Sequence, residues 1–356
     1  MALLTYSNIG IAGIAACVPK HTIDNYHYTQ YFPEDVVRKV VDKIGIYERR
    51  FADENTCASD LCYAAAERLI ADLQVDKSEI DVLIFISQTP DYRMPATAFL
   101  LQERLGLPKT TMAFDLSLGC SAFLYGLSVG YSLLQQPHIR KVLLMDGETR
   151  SKVYSPKDRK TAFLFGDAGA AILLEKGEKY GNSYFSLNSD GSMADTIKIE
   201  GGGYRMPSSE ETLRERVVDE YGNIRSLEHG YMDGDDVFNF VASKVPKDIR
   251  YLCSEVGEDI QSMDYYLLHQ ANDFMNQFLV KKLKLDAEKV PSSIAKFGNT
   301  SSVSIPLTIV SELSDKLQGN KKLMLSAFGV GLSWGTVILQ TNDCHIGELI
   351  ELEDNN

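Results

Sequence analysis

The sequence predicts an α/β protein in which a mostly parallel sheet is covered by helices on both faces, an arrangement met twice along the chain. Apolar, β-branched runs alternate with helical patterns, which is the signature of βα units. A similar strand–helix order returns after about residue 180, so two matching halves are expected although their residue identity is low. With 356 residues, 44% of them apolar and 24% charged, the chain has room for about two cores of ordinary size.

The elements follow in order. MALLTYSNIGIAGIAACVPK has no positive residue before Lys20 and is interrupted by Gly10 and Gly13, which suits a buried strand and not a signal peptide. IDVLIFIS (80–87) reads as a buried strand followed by a helix from about Pro95 to Leu105. TMAFDLS (111–117) is the next strand, and a small-residue helix opens at Cys120 and runs through about Gln136. RKVLLMDGE (140–148) and GAAILLE (169–175) are two more strands. In the second half, MDYYLLHQ (263–270) ends like a strand, NDFMNQFLVKKLKL continues as an amphipathic helix, and SSVSIPLTIVSELSDKL is another. KKLMLSAF and WGTVILQ close the pattern as strands joined by a Gly-rich turn. Residues 190–235, rich in Gly, Ser, Asp and Glu, form a loop or insertion over a cleft, and the acidic tail ELIELEDNN is expected to fray.

Charge and cysteine usage exclude several functions. A net charge of −13 argues against nucleic acid as the main partner, because phosphate binding needs a basic face. No run reaches the ~18 apolar residues of a membrane span. The six cysteines (17, 57, 62, 120, 253, 344) are scattered without CxxC pairing, so neither a zinc site nor a disulfide framework is indicated, and reduced thiols in the cytoplasm are expected.

Cys120, in DLSLGCSAFLYGLSVG, is the first chemical candidate. A free cysteine is usually a small buried hydrophobe. Here it stands at a strand-to-helix turn, where α/β folds present ligand-binding groups, and a helix N-terminus favours thiolate over thiol. Small neighbours (Gly119, Ser121, Ala122) leave room for a substrate. His269 ends YYLLHQ at another strand terminus and reads equally as a structural or a catalytic imidazole. Asn299 lies in FGNTSSVSIP, where it reads also as a turn residue, with Thr300 or Ser301 as helix N-cap. Together the three supply a thiolate, an imidazole and an amide, a set suited to forming an acyl-enzyme and stabilising an enolate.

Two Gly-rich strings are read differently. AFGVGLSWG (327–335) joins two strands and has no acidic residue at dinucleotide spacing, so nucleotide binding is not expected. Such a hairpin brings backbone N–H groups against a substrate oxygen. LFGDAGAAILL (164–174) is assigned to packing.

These residues resemble the β-ketoacyl-acyl-carrier-protein synthase III family of the thiolase superfamily. The likeness rests on GIYERR (45–50), TPDYRMPATA (89–98), DLSLGCSAFLYGL (115–127), LFGDAGAA (164–171), HQAN (269–272), FGNTSSVSIP (297–306) and AFGVGLSWG (327–335), in the family's order. It implies a thiolase-like five-layered αβαβα sandwich of two pseudo-duplicated halves: residues 1–178 with the nucleophilic Cys120, and 179–356 with His269 and Asn299 and an insertion around 200–235. It implies a homodimer, no permanently bound cofactor, no metal, and coenzyme A or phosphopantetheine thioesters as substrates. The implied reaction is a decarboxylating condensation of an acyl thioester with malonyl-acyl carrier protein, with the oxyanion held by backbone N–H groups of Cys120 and the Gly329-Val330-Gly331 turn. Arg159, Met94 and Phe328 fall at substrate-binding positions, Met94 where one subunit closes its partner's acyl pocket. Lys281 and Lys282 fall at carrier-docking positions, although exposed lysines are equally a solvated helix face.

Departures accompany the matches. Where coenzyme A-binding members carry an adenine-stacking tryptophan this chain has Lys39, and Phe274 replaces an arginine after HQAN. The same triad also serves acyl transfer to an oxygen or nitrogen nucleophile, and a non-catalytic partner subunit is a further reading. Aldol chemistry of the hydroxymethylglutaryl-CoA synthase kind needs a glutamate base near the cysteine, for which the first half shows no clear equivalent.

Overall fold

The computed structural model describes residues 2–353. Two sheets form the frame. The larger has the order His345–Ile346, Ile9–Pro19, Asp167–Lys176, Lys141–Thr149, Ile80–Ile86, Met112–Leu116, with Ile350–Leu352 also on Ile9–Pro19. The smaller has the order Ala2–Ser7, Asn182–Ser189, Ser333–Asn342, Asn320–Gly329, Tyr265–Leu268. The halves exchange edges: Ala2–Ser7 pairs with Asn182–Ser189, while the C-terminal strands join Ile9–Pro19.

Five layers result. Helices Ala58–Asp72 and Thr97–Arg104 cover the outer face of the larger sheet, and Gly234–Val256 and Asp273–Leu283 the outer face of the smaller. Helices Ala122–Leu134 and Ser304–Leu313 lie between the sheets, in a core that draws on both, including Ile84, Leu124, Leu144, Leu307 and Leu325. This position explains their composition. A helix with a sheet on either side has no wet face, so its pattern is apolar or small all round. It must also sit close: a Cβ on Gly126 would lie 2.4 Å from Ile86 Cδ1.

Among the described residues, the expected mostly parallel sheet holds for four of the six pairings of the larger sheet, both C-terminal strands on Ile9–Pro19 included, and fails in the smaller. Ile80–Ile86 is parallel to both neighbours, but Lys141–Thr149, Asp167–Lys176 and Ile9–Pro19 run antiparallel in succession. In the smaller sheet only Tyr265–Leu268 on Asn320–Gly329 is parallel. Parallel pairing needs a crossover, commonly a helix; residues 150–166 contain only the 3-10 turn Arg150–Lys152, so the next strand returns antiparallel. In the tail 348–356, the described part is more ordered than expected, and residues 354–356 lie outside the described residues. Ile350–Leu352 pairs with Cys17–Pro19, and Lys20 N–H donates to Leu352 O at 2.8 Å. The segment 190–235 carries two small ladders, Ile197–Lys198 with Tyr231–Met232 and Arg216–Val217 with Ile224–Arg225, and the short helix Glu210–Leu213.

Among the described residues the cysteines are free thiols, no cluster of His, Cys, Asp and Glu is placed to hold a metal, and no helix is long and apolar enough to cross a membrane.

Candidate active site

Cys120, His269 and Asn299 line one cavity, together with Phe328, Gly329 and Val330. Each arrives from a different element. Cys120 follows the strand Met112–Leu116, His269 follows Tyr265–Leu268, and Asn299 lies between Ile294–Phe297 and the turn Ser301–Val303. Burying these strands brings their carboxyl ends together at the junction of the layers, the usual ligand position in α/β folds.

Cys120 does not open the helix. The helix starts at Ala122, and Cys120 occupies the turn closed by Ala122 N–H to Gly119 O at 2.8 Å. Its Sγ lies 3.6 Å from Ser301 Oγ. Burial pushes the thiol up; the Arg150 charge and the Ser301 hydroxyl pull it back, while Glu148 opposes them. Gly329 packs directly on this residue: a Cβ there would stand 2.7 Å from Cys120 Cβ and 3.0 Å from Sγ. Gly329→Ala is therefore expected to displace the thiol, lowering stability by about 1–3 kcal/mol through overpacking. Turnover should fall by about 10²-fold through misplacement, read from a melting curve and steady-state rates.

The His269 imidazole is buried, with Phe328 edge-on at 5.3 Å between ring centroids. Its Nδ1 is 2.8 Å from Ser304 Oγ. Gln270 N–H donates to that same hydroxyl oxygen at 3.4 Å. The buried imidazole is neutral near pH 7. Burial, aided by the Arg150 charge, holds its pKa at about 3, against an ordinary 6.5. An unfolded chain binds a proton at this histidine below pH 6.5 and the folded chain only below about 3, so the contribution to stability is complete above 6.5 and is lost as pH falls. Relative to His269→Gln, the protein is expected to lose about 1.4 kcal/mol per pH unit between those values, read from urea midpoints.

Asn299 is held by its backbone and by its oxygen. Its N–H donates to Leu164 O at 2.8 Å, its carbonyl accepts from Gly166 N–H at 3.1 Å, and Oδ1 accepts from Ser301 N–H at 2.9 Å. Nδ2 donates to Ala271 O at 3.4 Å, leaving a second hydrogen for a ligand. The N-cap expectation is corrected. Neither Thr300 nor Ser301 caps a helix with its side chain; Ser301, at φ 56°, aims its hydroxyl at Cys120 and Arg150.

Other expected residues lie elsewhere. Gly331 belongs to the turn but does not line the cavity. Arg159 also lies off its lining, stacked over Tyr221 with its guanidinium 5.3 Å from the ring centroid. Met94 is 76% exposed on the surface. Lys281 and Lys282 are exposed near the C-terminal end of Asp273–Leu283, a helix whose Met275 does line the cavity. Lys39 pairs with Asp35 at 3.3 Å, and exposed Phe274 packs on Phe238.

Sequence reading missed Arg150, Tyr154 and Phe165 on the lining, and Ile197 and Met232 contributed by the inserted region. It also missed a buried glutamate. Glu148 accepts from Arg150, Gln88 N–H and Thr89 Oγ1. It is fully engaged and does not line the cavity, so it offers no free base to the thiol site. An "ETR" triplet on a strand end was the available signal, and nothing local says that it turns inward.

The chain is similar to known proteins along most of its length. Two family models match: 3-oxoacyl-[acyl-carrier-protein] synthase III over residues 114–191 and its C-terminal part over residues 253–341. A β-ketoacyl-[acyl-carrier-protein] synthase III of Clostridioides difficile is 32% identical, covering 93% of this chain and 98% of that protein. The chain belongs to the β-ketoacyl-acyl-carrier-protein synthase III family. Another synthase III, of Desulfitobacterium hafniense, is 33% identical over 94% of this chain and 98% of its own length. The crystal structure of a 3-oxoacyl-(acyl-carrier protein) synthase from Burkholderia xenovorans superposes with a TM-score of 0.92 at 41% identity, covering 99% of both chains. The five layers are accordingly those of a thiolase-like synthase III fold, as expected from the motif order.

Proposed function

We propose that this synthase III family member joins an acyl thioester to malonyl-acyl carrier protein with loss of carbon dioxide. The observation that supports this most directly is the meeting of Cys120, His269 and Asn299 around one cavity beside the Gly329 turn. Cys120 thiolate attacks the donor's carbonyl carbon; the new C–S bond forms as the donor thiol departs with a proton. Backbone N–H groups of Cys120 and of the turn residues that line the cavity, Gly329 and Val330, face the oxyanion. The malonyl thioester then binds. His269 Nε2–H and Asn299 Nδ2–H hydrogen-bond its carbonyl oxygen, so that breaking the C–C bond releases carbon dioxide and leaves an enolate. The enolate carbon attacks the acyl group, and Cys120 leaves as thiolate.

The apolar walls from Ile197, Met232 and Val237 suit the uncharged pantetheine part of an arm delivered by coenzyme A or a carrier protein. In this reading no cofactor is bound permanently, Arg159 and Phe328 contact substrate, and Lys281 and Lys282 meet an acidic carrier. Met94, exposed in the single chain, closes the acyl pocket of a second copy in a cytoplasmic homodimer. The halves 1–178 and 179–356 then divide the chemistry, thiol on one side and donors on the other.

The test is to weigh the intact protein after incubation with a panel of acyl-CoA and acyl-carrier thioesters, then add malonyl-acyl carrier protein. An acyl adduct that disappears as a β-ketoacyl product forms is the expected result. Acylation without condensation favours transfer to an oxygen or nitrogen nucleophile, and no adduct with any donor favours a non-catalytic subunit.

A further inference from the structure

Beside the thiol stands a buried guanidinium that the reaction above does not use. Arg150 Nη2 donates to Gln88 Oε1 at 2.7 Å, Glu148 Oε1 at 3.1 Å and Ser301 Oγ at 3.1 Å, and the side chain lines the same cavity as Cys120. We propose that Arg150 is a positioning residue that sets the ionisation of Cys120, working through the Ser301 hydroxyl.

The direction of the hydrogen bonds carries the inference. A guanidinium has donors only, so Ser301 Oγ accepts from Arg150. The hydroxyl's single proton then has two acceptors, Cys120 Sγ at 3.6 Å and the Glu148 carboxylate, with which Ser301 also hydrogen-bonds. Turned to sulfur, the O–H favours thiolate over thiol and has a cation behind it. Ser301 is locked for the task. Its left-handed backbone, φ 56°, is fixed by its N–H bond to Asn299 Oδ1 at 2.9 Å. Arg150 is locked in turn by Gln88 from one side and by Glu148, anchored on Thr89 Oγ1 and Gln88 N–H, from the other.

The need for such a device is physical. Cys120 is only 9% exposed, and burial disfavours the charged sulfur. The helix that follows begins two residues later, so its end does not act on the thiol alone. The charged and titratable groups around the sulfur are Arg150, Glu148, Tyr154 and His269. Burial keeps the phenol and the imidazole neutral, so Arg150 and its partner Glu148 supply the local charge.

The test is the pH dependence of Cys120 alkylation by iodoacetamide, followed by intact mass. Removing Arg150 alone strands the Glu148 carboxylate, so the comparison is Arg150→Met/Glu148→Gln against Glu148→Gln, with Ser301→Ala alongside and melting curves to establish folding. Loss of Arg150 from the Glu148→Gln background, and loss of the Ser301 hydroxyl from the native protein, should each raise the thiol inflection by about one pH unit. Alkylation at neutral pH should slow about tenfold. Ser301→Ala should remove most of the effect of the Arg150 change when the substitutions are combined. An unmoved inflection in folded Arg150→Met/Glu148→Gln overturns the proposal, as does a shift that is undiminished when Ser301 is already alanine. The inference rests on Cys120 as the acylated residue, but the readout uses no acyl donor, so its failure leaves the condensation reading standing.

Discussion

Cys120→Ala is expected to abolish the acyl adduct and to lower condensation by about 10⁴–10⁶-fold, the scale on which losing a covalent nucleophile is measured. The nearest other hydroxyl, Ser301 Oγ, lies 3.6 Å from Sγ but off the cavity lining. The cavity lining contains no other thiol and no serine or threonine, and the only phenol, Tyr154, is pushed up to about 12 by burial. The variant should fold, because alanine keeps the Cβ that packs on Gly329 and removes only the sulfur. His269 and Asn299 are untouched, so slow decarboxylation of malonyl-carrier substrate should persist without product. Intact-mass and carbon dioxide-release assays on one preparation read both. A full-rate adduct on Cys120→Ala would remove the thiol from the mechanism.

The second large effect is a separation of half-reactions. His269→Ala should lower malonyl decarboxylation by about 10²–10³-fold, the usual cost of one donor to a developing oxyanion. Acyl loading should change only a few-fold. The neutral ring, anchored at Nδ1 by the Ser304 hydroxyl, lines the cavity where the enolate forms in this reading. It is a poor base for the thiol, since its pKa lies at about 3. Equal losses in both half-reactions would show that His269 also activates Cys120. A readout of each half-reaction at several pH values separates the cases, because a base with that pKa would leave no inflection in the neutral range.

Much of this was legible in the residues. The runs IDVLIFIS and RKVLLMDGE are strands within a residue or so of their expected bounds, and SIPLTIVSEL is a buried helix. The three chemical candidates could be singled out because each stands where an apolar run ends beside small or helix-opening residues. Strand direction was not legible. Alternating apolar runs say that a segment is buried, and the antiparallel return of Asp167–Lys176 depends on a long connection with only a 3-10 turn in it. The start of the helix after Cys120 slipped by two residues for a similar reason. Ser121, which precedes the first helical residue, has a helix-like backbone and makes no capping side-chain hydrogen bond to mark the boundary.

By itself, then, the sequence determined the chemical types available, the periodicity that buries each segment, and a motif order that matches one family. Tertiary structure alone decided that Arg150 and Ser301, 151 residues apart, share a hydrogen bond, and that Ser301 turns its hydroxyl to the thiol and not to a helix end. The physical reason is the range of the interactions. Hydrophobic patterning acts over a few residues and records only which face is buried, whereas a buried polar group finds its partner wherever close packing of the two sheets and their shared helices brings one within reach.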